Sequence, residues 1–183
     1  LIGCGTGCSE DIARITTSLI KYAGCPVIID ADGLNSIVPH INEIKDNNGM
    51  VILTPHLKEF SRLSGLDMGY IQKNKLDVAR LFAKQYNLHL LLKDAYSVYA
   101  APDGFTAVNL SGNDALAKAG SGDTLAGTIA GLIASGAGIN DGVTAGAYLF
   151  GKSAELAAET HDTRSILPSL LPSEYGRIIK SIV

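Results

Sequence analysis

The chain has 183 residues, of which 46% are hydrophobic and 18% charged, and its formal net charge is -3. That composition excludes a disordered polymer, and the scattered Lys and Arg argue against nucleic acid or an anionic membrane as the main partner. No apolar run reaches the roughly 18 residues that a membrane span needs and no basic-then-apolar leader is visible, so a cytoplasmic home is expected.

Leu1–Gly7 reads as the end of a strand running into a glycine turn, where Gly3, Gly5 and Gly7 alternate. Such a turn either lies against a ligand or simply joins a strand to a helix. The chain has no initiator Met and starts in mid-element, so a missing N-terminal portion is expected. Ser9 is a candidate N-cap, with Glu10 and Asp11 in the first turn of the helix that follows. Ile12, Ile15, Leu19 and Tyr22 recur at helical spacing, and Gly24 is a candidate C′ residue. The three cysteines, Cys4, Cys8 and Cys25, are expected to be reduced thiols. No second Cys/His pair follows at zinc spacing, so no side-chain metal site is expected.

Residues 26–30 (PVIID) form a short apolar run of the kind found in parallel strands buried on both faces. Asp30 and Asp32 follow at its carboxyl end, where open α/β sheets bind ligands. They could orient a ribose, hold water around Mg²⁺, or act only as turn formers. Residues 50–54 are the next strand, and His56 falls at its carboxyl end. A short helix over 57–64 follows, with Glu59 in its first turns and Gly65 closing it. Residues 71–86 read as one helix leading into the strand 89–93, with Lys93 at that strand's end. Lys93 could meet a phosphate or reach solvent. Residues 96–100 and 105–109 flank Pro102-Asp103-Gly104 and read as a hairpin.

The dominant stretch is 113–136. Gly120-Ser121-Gly122 opens an apolar helix read over 124–137, and its free N–H groups make a cradle for phosphate or an oxyanion. Asp123 at this mouth is either a helix cap or the acceptor of a substrate hydroxyl proton. Gly127 and Gly131 form a G-x-x-x-G pair read as a close-packing face. Asn140 or Asp141 is the expected cap of a further helix whose inward face carries Val143, Ala147, Phe150 or Gly151, and Ala154. A short helix over 173–182 ends the chain. No repeat or linker interrupts it, so a single domain over 1–183 is expected.

Taken together, GCGTG, DADGLN, TPHLKEF, LLKDAYSV and NLSGNDALAKAGSGDTLAG resemble, in this order, the ADP/ATP-dependent NAD(P)H-hydrate dehydratases. The resemblance implies a ribokinase-like three-layer α/β/α fold with a mostly parallel central sheet and an antiparallel edge hairpin. It implies dehydration of NADHX and NADPHX back to NADH and NADPH, with ADP or ATP as co-substrate and Mg²⁺ accompanying the nucleotide. Asp123 would take the proton of the substrate's 6-hydroxyl. Gly120, Ser121 and Gly122, with Asn113 beside them, would hold the phosphoryl group. Lys93, Asp94, Ala95, Tyr96, Ser97 and Gly122 would line the adenine nucleotide, and Gly5, Asp32, His56 and Asp123 the hydrated nicotinamide. Bacterial members often assemble as tetramers, so a homo-oligomer is expected.

The chain departs from the family pattern at Cys4, Thr6, Leu57, Lys58, Asp94 and Asp114, which stand where Pro, Leu, Pro, Gly, Gly and Pro are usual. Two other readings remain: a small-molecule kinase of the same fold, acting on a hydroxymethylpyrimidine or a sugar, and a nucleotide-binding remnant without turnover.

Overall fold

The computed structural model describes Leu1–Ile182, leaving the side chain of Asp46 and all of Val183, the last residue of the expected domain, outside the description. The chain divides into two compact units, Leu1–Val108 and Asn109–Val183.

The first unit is built on a five-stranded sheet in the order β1-β2-β3-β4-β5. The strands are β1 (Val27–Ile29), β2 (Val51–Leu53), β3 (His89–Leu92), β4 (Ser97–Ala100) and β5 (Thr106–Asn109). β1, β2 and β3 run parallel, with Ile28 beside Ile52 and Leu53 beside Leu90, whereas β4 runs antiparallel to β3, with Leu91 beside Tyr99. Every residue of β1, β2 and β3 is buried, as continuous apolar runs in a parallel sheet require. Ile2 adds a parallel bridge to Ile29. Gly3 then passes so close to the next turn that a Cβ on it would sit 2.0 Å from the Asp30 carbonyl oxygen. Only glycine fits there, and its φ of +113° is one that other residues rarely adopt.

Helix α1 (Glu10–Tyr22) starts where expected, with the Ser9 hydroxyl accepting the Ile12 N–H. Its buried face differs from the expectation. Ala13, Thr16 and Ile20 are buried, while Ile15, Leu19 and Tyr22 are exposed. Thr16 can be buried because its hydroxyl donates to the Ile12 carbonyl at 2.7 Å. Gly24 does not take up a left-handed cap; the chain leaves the helix through an extended Ala23. Asp30 caps α2 (Ala31–Ile37), which takes up the segment around Asp32.

Helix α3 (Leu57–Ser64) and its left-handed Gly65 fall where expected. The single helix expected over 71–86 is two: α4 (Met68–Lys73) and α5 (Lys75–Tyr86). They are separated by Asn74 at φ −127°, ψ 26°, whose N–H is shared between the Tyr70 and Ile71 carbonyls. Phe60 and Phe82 pack edge to face at 5.0 Å in the core of this unit.

The second unit holds α6 (Ser121–Ala134), α7 (Ile139–Ala158) and α8 (Tyr175–Ile182). A 3-10 turn over Asp114–Leu116 precedes α6, and another over Pro168–Glu174 precedes α8. α6 begins and ends three residues earlier than expected, since Ser121 and Gly122 are helical. Gly127 and Gly131 face open space rather than a packed neighbour. The close approach is made instead by Gly142 and Gly146 of α7, where a Cβ would sit 2.5 Å from Ile133 Cγ1 and 2.7 Å from Ile129 Cγ1. α7 starts after Gly138, with no side-chain cap, so neither Asn140 nor Asp141 caps it. Its inward face carries Val143, Ala147, Phe150, Gly151 and Ala154, as the periodicity implies.

Candidate functional site

In the second unit the site is built around the start of α6. Gly120 is its N-cap, held left-handed at φ +85°. Asp123 is therefore not the cap; it is the third residue of the helix, and it is exposed. The Ser121 N–H donates to the Lys118 carbonyl at 3.2 Å and the Thr124 N–H to that of Gly120 at 3.0 Å. Between them, the N–H groups of Gly122 and Asp123 have no backbone acceptor among the described residues. Among the described residues, the buried Ser121 hydroxyl has no hydrogen-bond partner. Burying an unpaired hydroxyl has a cost, and the helix dipole adds partial positive charge at the same point. The first turn of α6 thus presents unspent donors beside one exposed carboxylate.

The approach to this turn is laced onto α7. Asn109 Nδ2 donates to the Ala147 carbonyl at 3.4 Å, and the Ser111 hydroxyl to that of Tyr148 at 3.1 Å. The Gly112 N–H donates to Glu155 Oε1 at 2.7 Å, and Asn113 Nδ2 to the Ala154 carbonyl at 2.9 Å. Asn113 Oδ1 accepts the Ala115 N–H at 3.0 Å. Both ends of the Asn113 side chain are thus spent on the chain's own backbone. Burial opposes ionisation of Glu155, but the Lys152 ammonium and the Gly112 N–H outweigh it and hold the carboxyl below its ordinary value. A Cβ at Gly151 would lie 2.1 Å from Ser111 Oγ, so the segment rests directly on the helix there.

In the first unit the expected residues sit at the carboxyl ends of β1, β2 and β3, and most have partners. Lys93 Nζ lies 2.8 Å from Asp30 Oδ1, whose side chain is 1% exposed. That carboxylate also accepts the Ala31 N–H at 2.9 Å, across a backbone at φ +48°. Asp32 Oδ2 accepts the Gly7 N–H at 2.8 Å, which pins the glycine turn, while Gly5 stands in open space. The Cys8 thiol sits 3.6 Å from Asp32 Oδ1.

His56 is the N-cap of α3. Its Nδ1 accepts the Lys58 and Glu59 N–H groups at 3.1 and 3.2 Å, so the proton belongs on Nε2, 3.3 Å from Glu59 Oε1. Glu59 Oε2 accepts the His56 N–H at 2.8 Å, closing a capping box. The imidazole keeps half its surface exposed. Asp94 pairs with Lys75 at 2.6 Å. Burial opposes its ionisation, and the Lys75 ammonium with the Ala95 N–H overcomes this, holding the carboxyl below its usual range. Lys75 also donates to the Tyr96 carbonyl at 3.2 Å, and the Ser97 hydroxyl to that of Asp94.

A family model described as NAD(P)H-hydrate dehydratase matches residues 1–177. The chain belongs to the NAD(P)H-hydrate dehydratase family. It is similar to a bifunctional NAD(P)H-hydrate repair enzyme of Thermofilum pendens, 36% identical over 158 residues, covering 86% of this chain and 30% of that protein. It is also similar to the ADP/ATP-dependent NAD(P)H-hydrate dehydratase of Bacillus subtilis co-crystallised with ATP/Mg²⁺ and soaked with CoA. That match has a TM-score of 0.89 and 34% identity, over all of this chain and 65% of the other. A ribokinase-like superfamily protein from Enterococcus faecalis, 24% identical, shares the fold over 98% of this chain and 62% of its own, with a TM-score of 0.85. The fold is therefore the ribokinase-like three-layer α/β/α class. The chain spans less than two thirds of each of these proteins. Among the described residues, no helix is long and apolar enough to cross a membrane.

The family motifs pointed to the start of α6, and its unspent donors lie there. Sequence reasoning named Asp30 and Lys93 singly but not as a pair, and it missed Glu155 and Lys118, whose backbone partners lie 43 to 48 positions away.

Proposed function

We propose that this chain catalyses the ADP- or ATP-dependent dehydration of NADHX and NADPHX to NADH and NADPH. The observation that carries the reading is the first turn of α6, with its unspent N–H groups, the unpaired Ser121 hydroxyl and the exposed Asp123 carboxylate. Family membership supports it. In this reading Asp123 takes the proton of the 6-hydroxyl as that oxygen attacks the terminal phosphorus of the nucleotide. The P–O bond to the shortened nucleotide breaks, and the Gly120–Gly122 backbone stabilises the charge on the moving phosphoryl oxygens. Phosphate then leaves with the C–O bond electrons, a proton is lost from the neighbouring carbon, and the dihydronicotinamide is restored. A poor leaving group, hydroxide, has become a good one.

Gly5, Asp32 and His56 take the substrate role in this proposal, and 93–97 with Gly122 the nucleotide role. Magnesium suits the donor set only through water. Asp30 and Asp32 each have an oxygen engaged, and Mg²⁺ characteristically keeps several waters and takes few carboxylates. When bound with the nucleotide it would neutralise phosphate charge. We further propose that residues 1–183 act as one dehydratase-like domain, in the cytoplasm and as a homo-oligomer. Mixing the chain with NADHX and ADP or ATP tests the activity. Absorbance should return in the reduced-nicotinamide band with release of phosphate. A stable phosphorylated product, or no nucleotide-dependent return, overturns the reading.

A further inference from the structure

Lys118 lies within the motif that leads to α6, and its ammonium serves no carboxylate. Its Nζ donates to the Thr163 carbonyl at 2.7 Å and to the Ile166 carbonyl at 2.8 Å. No carboxylate among the described residues lies within ion-pair distance of it. Its own carbonyl accepts the Ser121 N–H, the first amide of α6. One residue therefore grips the segment 163–166 with its side chain and the start of the helix with its backbone.

That segment is well suited to be gripped. The Asp162 carbonyl accepts the Ser165 N–H and the Ser165 hydroxyl, both at 2.8 Å. Asp162 Oδ1 accepts the Arg164 N–H at 2.8 Å, and Ile166 is buried. The turn is closed by its own bonds and offers its carbonyls in a fixed direction. A second clasp joins the same turn to the other end of the loop, where the Thr163 hydroxyl donates to Asp114 Oδ2 at 3.1 Å. Asp114 opens the 3-10 turn, and Lys118 follows it before the Gly120 cap of α6.

We propose that Lys118 is a positioning residue that sets the aim of the α6 amides by clasping the 163–166 turn. This deepens the proposed function and rests on it for the identity of the anion. The ammonium is held only by carbonyl dipoles, so no neighbouring carboxylate among the described residues offsets it, which favours the same anionic ligand. The clasp fixes the residue that accepts from Ser121, so losing it loosens the first turn of α6 and leaves the last turn alone.

The test compares Lys118→Met, which keeps most of the stem and loses the donors and charge, with Lys118→Arg, which keeps both. Amide hydrogen exchange on the whole chain is the primary readout. In Lys118→Met the Ser121 and Thr124 amides should exchange at least about 10-fold faster, while those of 130–134 stay within about 2-fold of wild type. Lys118→Arg should restore most of the protection. Uniform acceleration along α6, or none at Ser121, overturns the proposal. With inorganic phosphate as probe, the Gly122 and Asp123 amide signals of the wild-type chain should shift, and Lys118→Met should need several-fold more phosphate for the same shift. If wild type and Lys118→Met respond equally, Lys118 does not aim the amides. If the wild-type chain shows protected Ser121 but no phosphate response, the anion-binding reading of the site fails while the exchange result still judges the clasp.

Discussion

The polar groups at the strand ends of the first unit and those at the start of α6 in the second differ in one respect. At the strand ends nearly every charge is already paired: Asp30 with Lys93, Asp32 with the Gly7 N–H, and Glu59 with His56. At the start of α6 the Ser121 hydroxyl and the Gly122 and Asp123 amides are unspent among the described residues. Fold stability is served by the first arrangement, because an unpaired buried charge is costly. A ligand is served by the second, because only open valences can be filled without first breaking a bond. The comparison teaches that position at a strand's carboxyl end marks where a residue lies, while its unmet bonding marks what it is for.

The sharpest way to break this contrast is Asp123→Asn. Loss of a positioned base should cost about 10²–10⁴-fold in turnover. The thermal midpoint should barely move, since a first-turn carboxylate contributes roughly 0.3–1 kcal/mol to a helix. Near-normal turnover in the assay with NADHX would take Asp123 out of the chemistry.

Lys93→Met should strike the fold itself. It leaves the Asp30 carboxylate buried without its ammonium, a loss of about 3 kcal/mol in urea denaturation. A variant as stable as wild type would show that the pair does not hold the fold. Gly151→Ala should cost about 1–3 kcal/mol by overpacking, because the new Cβ would meet Ser111. It should also shift the amide signals of Ser111, Gly112 and Asn113 in an NMR spectrum.

His56 separates the two kinds of role within one residue. Asparagine can replace its cap acceptor, so His56→Asn should keep the midpoint within about 0.5 kcal/mol, whereas His56→Ala should lose about 1 kcal/mol. If the ring touches substrate, both variants should raise KM for NADHX. Equal KM in all three forms would leave His56 a cap and nothing more.

The smallest effects belong to two histidines away from either site. His89 is pushed below its ordinary value of 6.5, chiefly by burial, against the opposing pull of the Gly49 carbonyl. The unfolded chain therefore binds a proton at this site more readily, so its share of stability is present above about pH 6.5 and fades as pH falls below it. His40 is raised above 6.5 by its hydrogen bond to Glu43, with Glu10 adding to it. Its share is present below 6.5 and fades as pH rises through its raised value. Proton NMR titration of the two rings should place their midpoints on opposite sides of 6.5. Midpoints on the same side would refute one of the two environments.

Helix α3 was legible to the residue because its start and stop are chemical: a cap at His56, Glu59 three residues on, and a left-handed Gly65. The apolar strands were legible for a similar reason, since runs such as VII and HLLL fit a sheet buried on both faces. The buried face of α1 was not. Its apolar residues lie mostly on the solvent side, and the buried side includes a threonine that satisfies itself through Ile12. The break at Asn74 was hidden because the residues around it keep the helical period. The helix expected from 124 starts at Ser121, because a glycine in a first turn leaves no intrahelical bond unmade. In the site, the donors of the α6 turn were legible from a contiguous motif. The clasps of Lys118 and Glu155 were not, because the backbone groups they hold are 43 to 48 positions away.

The lacing of 109–113 onto α7 has an evolutionary consequence. Three of its anchors, at Ala147, Tyr148 and Ala154, are main-chain oxygens, which any amino acid would supply. Only Gly151, through its lack of bulk, and Glu155, through its carboxylate, demand a particular identity. Exchanges of the side chains at 147, 148 and 154 leave these main-chain anchors in place, so within the lacing only positions 151 and 155 carry the inheritance of the arrangement.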